Sequence, residues 1–413
     1  KHRIVKEREQ EENKMLQGKT VLLGVTGGIA AYKMPNVARM LKKMHCNVHV
    51  LMTQNATNFI TATTFETLTG NKCLIDTFDR NFEFSVEHVA LAKQADLVLL
   101  APATANVIGK IANGIADDML TTTVMACTCK VLVAPAMNHN MYHNSIVQEN
   151  LEKLKRHGYE MIDPVCGMLA NGDTGDGKLP SEETLVEYVL RELAFEKDMQ
   201  GLKVLVTAGP TQEAIDPVRF ISNHSTGKMG YAIAKNAMLR GAEVTLVTGR
   251  TALEPPMFVK TVPVTSAKDM YQAVMECAKE QDIIVKAAAV ADYTPAHTAD
   301  EKIKKSEGEL SLALEKTTDI LAELGKNKGN TVLCGFSMET EHMLENSRAK
   351  RKKKNLDMIA ANNLKQQGAG FAGDTNVLTL ITEDWEKELA LMSKDEAAKC
   401  LLDELLKIKK NKK

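Results

Sequence analysis

The sequence predicts an α/β chain built from two doubly wound, Rossmann-like domains. Three observations carry this reading. Short apolar runs of strand length alternate with longer amphipathic stretches, the pattern of a parallel sheet covered by helices on both faces. That pattern halts in a charged stretch and restarts at 203–207 (KVLVT), which sets a domain boundary near residues 195–200. At 413 residues and 44% hydrophobic, the chain carries enough apolar material for two cores. The expected organisation is a charged N-terminal extension (1–15), a first domain (16–195) and a second domain (196–413).

In the first domain the run 19–25 (KTVLLGV) ends in Thr26-Gly27-Gly28 and leads into a helical stretch over 29–44. A strand over 47–52 follows, then apolar runs at 96–101 (DLVLLA) and 130–134 (KVLVA), with helical sequence between them. The Gly-rich, acidic segment 167–177 has no period and reads as a flexible loop, and a charged helix is expected over 181–198. The second domain has runs at 203–207, 243–248, 282–285, 331–335, 357–360 and 377–381. Its lysine-rich tail, 407–413, reads as a frayed, solvated end. Ligands of such sheets bind beyond the carboxyl ends of the strands. The loops to watch are therefore 26–28, Thr53, 102–106 and 135–138.

Composition excludes several classes. The 52 Lys+Arg against 53 Asp+Glu leave a net charge of −1, unlike the basic excess of a dedicated nucleic-acid binder. No run approaches the length of an uninterrupted apolar membrane span. Residues 1–14 are charged and lack an apolar stretch, so they do not read as a secretory signal, and a start at Lys1 suggests a trimmed or incomplete terminus. Eight scattered cysteines without a CxxC pair fit reduced thiols in a cytoplasmic protein better than a metal or disulfide framework.

Gly24-x-x-Gly27-Gly28, between a strand and a helix, lets backbone N–H groups approach a phosphate. It is not GxGxxG, and Thr53 rather than an acid ends the second strand, so a mononucleotide fits better than NAD; a tight turn without ligand is the plain alternative. Ser225-Thr226-Gly227-Lys228 is followed by Met229 and fails the Walker pattern. His139-x3-His143 and His45-x3-His49 have helical metal spacing, but neither comes with a third ligand. The five cations of 350–354 read as a solvated face or, with Lys302, Lys304 and Lys305, as a counter-charge for a polyphosphate. His88, at the start of an amphipathic stretch, reads on its own as a cap or core histidine.

Taken together the motifs carry a family resemblance. TGGIAAYK (26–33), EHV (87–89), PATAN (102–106) and PAMNxxM (135–141) resemble the homo-oligomeric flavin-containing cysteine decarboxylases. TAGPT (207–211), ISNHSTGKMG (221–230), AAAVADY (287–293) and EKIKK (301–305) are similar to bacterial phosphopantothenate–cysteine ligases. Collinear over 16–406, they resemble the family of bifunctional coenzyme A biosynthesis enzymes. The resemblance implies an N-terminal flavodoxin-like flavoprotein domain and a C-terminal ligase domain.

For the ligase half it implies that CTP activates the carboxylate of 4′-phosphopantothenate as an acyl-cytidylate, releasing pyrophosphate, and that the amine of cysteine then displaces CMP. A free carboxylate is a poor electrophile, so such a leaving group is required. By motif match, Lys286, Ala287, Ala288, Asp292 and Phe336 would surround cytosine and ribose, and Thr317, Thr318, Asp319 and Ile320 would lie along the nucleotide. Lys302, Lys350 and Lys354 would hold the phosphates, and Asn223 would sit near the acyl-cytidylate. Mg²⁺ would bridge phosphate oxygens, with no protein ligand assigned. Thr317-Thr318 stand where the family has Asn-Pro.

For the decarboxylase half it implies FMN-dependent oxidation of the substrate's cysteinyl thiol to a thioaldehyde, loss of CO₂, then protonation and reduction of the ene-thiolate to 4′-phosphopantetheine. His88 would act near the thiol and Asn138 would grip the carboxylate. Gly27, Gly28, Ile29, Thr53, Thr104 and Asn106 would hold FMN, with Thr26 at the phosphate end. The family's proton-donating cysteine is replaced by Asn171, which puts the last protonation in question. Related flavin sites lie at trimer contacts, so a trimer-based homo-oligomer is implied, a dodecamer being one such form, acting on small molecules rather than nucleic acid or membrane. Two other classes stay open: a flavin-binding regulatory protein that inhibits a phosphatase, and a dinucleotide-dependent oxidoreductase, which the missing GxGxxG disfavours.

Overall fold

The computed structural model describes residues 14–78, 87–168, 172, 174–304, 311–339, 342–363 and 373–412. The chain forms two compact units, one ending at Phe195 and the other starting at Glu196.

In the first unit the elements run β1 (Thr20–Val25), α1 (Met34–Lys43), β2 (Asn47–Met52), α2 (Ala62–Thr69), α3 (Glu87–Gln94), β3 (Leu97–Ala103), α4 (Ala105–Ala112), α5 (Met119–Ala126), β4 (Lys130–Pro135), α6 (His139–Tyr142), α7 (Ser145–Arg156), β5 (Glu160–Met161), β6 (Val165–Met168), β7 (Thr174–Lys178) and α8 (Glu182–Leu193). Strands β1 to β5 form a parallel sheet in the order β2-β1-β3-β4-β5. That is the flavodoxin order, whose strand sequence reverses between β1 and β3. Every residue of β3 is buried, as expected for a central strand covered on both faces. Truncating Leu99, which is 0% exposed, to alanine would cost about 2–5 kcal/mol.

The expected helix over 29–44 is in two parts. A 3₁₀ turn (Ile29–Lys33) precedes α1, and Pro35, which has no N–H to give, falls in the first turn of α1. The segment expected as a flexible loop, 167–177, contributes to an antiparallel hairpin of β6 and β7.

The second unit contains β8 (Lys203–Ala208), β9 (Gln212–Ala214), β10 (Phe220–Ser222), α9 (Lys228–Leu239), β11 (Glu243–Thr248), β12 (Lys260–Pro263), α10 (Ala267–Cys277), β13 (Ile283–Lys286), β14 (Tyr293–Pro295), β15 (Leu314–Lys316), α11 (Ile320–Lys326), β16 (Val332–Glu339), α12 (Met343–Lys353), β17 (Met358–Asn363), β18 (Thr375–Asn376), β19 (Leu378–Ile381), β20 (Glu386–Glu388), β21 (Met392–Ser393) and α13 (Lys394–Asn411). Its main sheet has the order β12-β11-β8-β13-β16-β17-β19-β20. The first six strands are parallel and follow the doubly wound Rossmann sequence, with the reversal between β8 and β13. Strands β19 and β20 extend the sheet antiparallel.

The lysine-rich tail is not frayed through 412. Lys409 Nζ lies 2.9 Å from Asp282, and Lys412 Nζ lies 2.7 Å from Asp357, so carboxylates at the starts of β13 and β17 anchor the last turns of α13.

Candidate functional site

Each unit has a cavity at the carboxyl ends of its strands, at the point where the strand order reverses. In the first unit it measures ≈ 550 Å³ and is mostly apolar. Gly27, Gly28 and Ile29 line one side, Thr104 the middle, and Asn138 with Gly177 the other. Gly27 is required by packing: a Cβ there would lie 2.5 Å from Asn55 Cβ. Gly28 is more open and would meet only Thr104 Cγ2, at 3.6 Å. It caps the 3₁₀ turn, whose opening N–H groups have no partner within the turn.

Thr26 and Thr53 do not line this cavity. Thr26 is fully buried; its hydroxyl donates to the Pro102 carbonyl (2.6 Å) and accepts from Thr104 N–H (3.0 Å), so it ties the loop after β1 to the loop after β3. Thr53 is 8% exposed and caps the following turn, accepting from Ala56 N–H at 3.3 Å. Asn106, exposed on the first turn of α4, and His88, half-buried on α3, are not among the lining residues either. Asn138 lines the cavity, and its Oδ1 accepts from Asn140 N–H (2.9 Å), capping α6 and leaving the amide NH₂ to donate. Asn171 lies outside the described residues.

The volume and the apolar lining, with Ile29, Met137, Met141 and Met168, fit a flat aromatic ring system such as a flavin. Around its mouth Ile29 (56% exposed), Tyr32 (61%) and Met168 (70%) stand open to solvent.

In the second unit a cavity of ≈ 400 Å³ brings together Lys286 to Ala288 and Asp292 after β13, Thr317 to Ile320 before α11, Phe336 of β16, and Lys350 and Lys354 at the end of α12. Asn223 is on the same wall, and its Nδ2 donates to the Ala289 carbonyl (3.1 Å). The cation run divides by helical period: Lys350 and Lys354 face the cavity, whereas Lys352 and Lys353 are exposed. Lys302 is exposed and does not line it.

Electrostatics follow from this crowding. Burial, reinforced by the like charges of Lys354 and Lys350, draws the Lys286 ammonium down to about 8. Lys350 is also lowered, by burial and then by Lys354. Lys354 Nζ lies 2.7 Å from Asp319 Oδ2, and Asp319 caps α11 through Ala322 N–H (3.0 Å). Burial would raise the Asp319 carboxyl, but these partners outweigh it and hold it below its usual range.

Two further cations in this cavity were not foreseen as site residues. Lys228 follows the polar loop 223–227 and pairs with Asp374 (2.6 Å). Lys394, 7% exposed, opens α13 within the Ser393–Glu396 capping box, and only the fold brings it here. One sequence expectation is corrected. His139 and His143 do have a third potential ligand, Asp176 of β7, the one cluster of its kind among the described residues. All eight cysteines are free thiols. Among the described residues no helix is long and apolar enough to cross a membrane.

Comparison with known proteins agrees with this two-site architecture. The flavoprotein family model matches residues 9–194, and the model of the DNA/pantothenate metabolism flavoprotein C-terminal domain matches 199–408. The coenzyme A biosynthesis bifunctional protein CoaBC of Bacillus subtilis (strain 168) is 45% identical over 400 residues, 96% of this chain and 98% of its own. That of Haemophilus influenzae is 42% identical over 392 residues (95% and 98%), and that of Escherichia coli (strain K12) 42% over 395 (95% and 97%). Matched in order through both units and over nearly its whole length, the chain belongs to the family of bifunctional coenzyme A biosynthesis flavoproteins, CoaBC.

Proposed function

We propose that the chain catalyses two consecutive steps of coenzyme A biosynthesis. Residues 196–413 would ligate 4′-phosphopantothenate to cysteine with CTP, and residues 16–195 would decarboxylate the product on the route to 4′-phosphopantetheine, the last protonation being slowed by Asn171 at the family's proton-donor position. The observation that carries this reading is the convergence of Lys286, Lys350 and Lys354 on one cavity at the switch point of the second sheet. A nucleoside triphosphate answers that charge.

In the ligase cavity Lys350 and Lys354 would hold the phosphates, Lys354 exchanging Asp319 for a phosphate oxygen. Phe336, Asp292 and the backbone of 286–288 would flank the base and ribose. Asn223, its amide steadied by the Ala289 carbonyl, would face the acyl carbon. The cavity offers no cluster of three ligating side chains among the described residues, so Mg²⁺ would enter on the triphosphate oxygens.

In the first cavity FMN, when bound, supplies the acceptor for the two electrons that leave the substrate's cysteinyl thiol. Asn138, with its Oδ1 committed to Asn140, would turn its NH₂ to the departing carboxylate. His88 would reach the thiol from a neighbouring copy in a trimer-based homo-oligomer, a reading supported by the exposed Ile29, Tyr32 and Met168 at the mouth.

The test supplies purified protein with 4′-phosphopantothenate, cysteine, CTP and Mg²⁺ and identifies products by mass. The expected outcome is 4′-phosphopantothenoylcysteine with CMP and pyrophosphate, from a protein that is yellow with FMN. Folded protein that yields no amide would overturn the ligase assignment, and one that binds no flavin the decarboxylase assignment.

A further inference from the structure

We propose that His139, His143 and Asp176 form a site for a divalent transition-metal ion of the zinc class in the first unit. It goes beyond the CoaBC activities and does not depend on whether the neighbouring cavity takes flavin.

His139 and His143 are four residues apart and bracket α6, with ring centroids 4.4 Å apart. Asp176 arrives from β7, far along the chain. Its Oδ2 lies 3.1 Å from His143 Nε2, and its N–H donates to His139 Nδ1 at 3.2 Å. One ligand atom from each residue lies within 4.8 Å of the others. Metal–ligand bonds of roughly 2.0–2.2 Å put neighbouring ligands in a tetrahedral site about 3.3 Å apart. The His143–Asp176 edge already has that length. The remaining edges close by side-chain rotation, the ion taking the His139 Nδ1 lone pair in place of the amide N–H.

A surface His–Asp pair would need neither the third residue nor the backbone approach that delivers it. Both neighbours of Asp176 are glycines with no room for a side chain. A Cβ on Gly175 would lie 2.8 Å from His139 Nδ1, and one on Gly177 (φ +118°) would lie 2.3 Å from the Met137 carbonyl. The hairpin is therefore pressed against the histidine pair. It is held there by the Met137 N–H to Gly177 carbonyl hydrogen bond (3.0 Å).

The donor set selects the ion. Two neutral imidazoles and one carboxylate suit Zn²⁺, Co²⁺ or Ni²⁺ rather than Mg²⁺ or Ca²⁺, which prefer all-oxygen shells. Three protein ligands leave a position for water. The side chains of His143 and Asp176, 49% and 44% exposed, give the ion an entry path. Once bound, it would tie β7 to α6, the helix that Asn138 caps.

The experiment titrates tag-free, chelator-treated, flavin-loaded protein with Co²⁺ and follows the visible ligand-field bands. The expected result is one saturating step with bands of tetrahedral or five-coordinate type, no thiolate charge-transfer band, and displacement by Zn²⁺. His139→Gln, His143→Gln and Asp176→Asn should each weaken binding by roughly 10–100-fold or more, with circular dichroism and flavin absorbance confirming the fold. Three results would each overturn the site: no saturable binding, affinity unchanged in all three variants, or a thiolate charge-transfer band, which would mean that exposed Cys166 is the ligand.

Discussion

The backbone N–H of Ile303 donates a 3.1 Å hydrogen bond to Asp216 Oδ2. Asp216 is 2% exposed, and its carboxyl is held well below its usual range, chiefly by the Arg219 guanidinium. Arg219 in turn donates to the Ile303 carbonyl at 2.8 Å. Both backbone groups of the residue beside Lys302 are thus gripped by one ion pair, which anchors an exposed segment that does not reach the cavity on its own.

The first prediction separates the lysine from its anchor. If Lys302 meets the triphosphate, Lys302→Gln should raise the KM for CTP about tenfold or more, the worth of a charge-assisted hydrogen bond, and leave the KM for cysteine nearly unchanged. Asp216→Asn should act in the same direction by loosening the segment, and the double variant should lose less than the sum of the two effects. An unaltered KM for CTP in Lys302→Gln would reduce that lysine to a surface charge.

The second prediction concerns pH. Burial and the like charges of Lys354 and Lys350 outweigh the carboxylates of Asp319 and Asp292 and draw the Lys286 ammonium down to about 8. A triphosphate favours the protonated form. Below that value the proton is already present. Above it, binding must first restore the proton, so CTP affinity should fall as pH rises through 8, by at most about tenfold per unit. Lys286→Met should weaken binding at neutral pH and flatten this decline, as measured by CTP titration on both sides of the transition. A decline that persists unchanged in the variant would assign it to another group, with Lys350 the first candidate.

The third prediction sets two adjacent glycines against each other. Gly27→Ala places a methyl 2.5 Å from Asn55 Cβ and 3.0 Å from the Asn55 carbonyl carbon. Such overpacking typically costs about 1–3 kcal/mol, and it displaces the turn that lines the flavin cavity. Gly28 has φ −148° and only an ordinary contact at 3.6 Å, so Gly28→Ala should keep the fold. Thermal melts and the flavin absorbance of the purified variants check both. Equal stability and equal flavin content would show that neither approach is tight.

What could be read in the sequence follows a physical line. Strands such as Leu97–Ala103 are legible because a strand buried on both faces is a continuous apolar run. The order of strands in each sheet is not, because it depends on where each crossover lands. The stretch 29–44 reads as one helix because its apolar period continues past Pro35, while the backbone constraint at Pro35 splits it. Lys350 and Lys354 could be singled out by helical spacing and motif. Lys394 and the meeting of His143 with Asp176 could not, since each rests on contacts between residues far apart in the chain. Thr26 matched a cofactor-binding motif, yet its hydroxyl is spent on Pro102 and Thr104, a distinction that only hydrogen-bond partners reveal.

The fourth prediction concerns Asn223. Its Nδ2 donates to the Ala289 carbonyl, a contact that a carboxylate cannot make and would repel. If this side chain supports turnover of the acyl-cytidylate, Asn223→Asp should let that intermediate accumulate while the amide forms slowly, as followed by mass spectrometry on quenched reactions. Amide formation at an unchanged rate would remove Asn223 from the active site.

The last prediction concerns the position between the two strands of the β6–β7 hairpin. The resembled family carries a cysteine there as proton donor to the ene-thiolate, and this chain has Asn171, a neutral amide far too weak an acid to substitute. Losing a positioned general acid typically costs about 10²–10⁴-fold. The exposed thiol of Cys166 belongs to β6, between the Val165–Lys178 and Gly167–Gly175 pairs of the ladder. It lies five residues upstream, up to roughly 17 Å along an extended chain. Thiol oxidation and CO₂ loss should therefore proceed while the oxidised ene-thiol accumulates alongside reduced flavin, and Asn171→Cys should restore 4′-phosphopantetheine formation. The check is a product time course by mass spectrometry with flavin absorbance read in parallel. If the unaltered protein already makes 4′-phosphopantetheine at a rate that Asn171→Cys does not improve, the donor is another group, and Cys166→Ser then decides whether it is the upstream thiol.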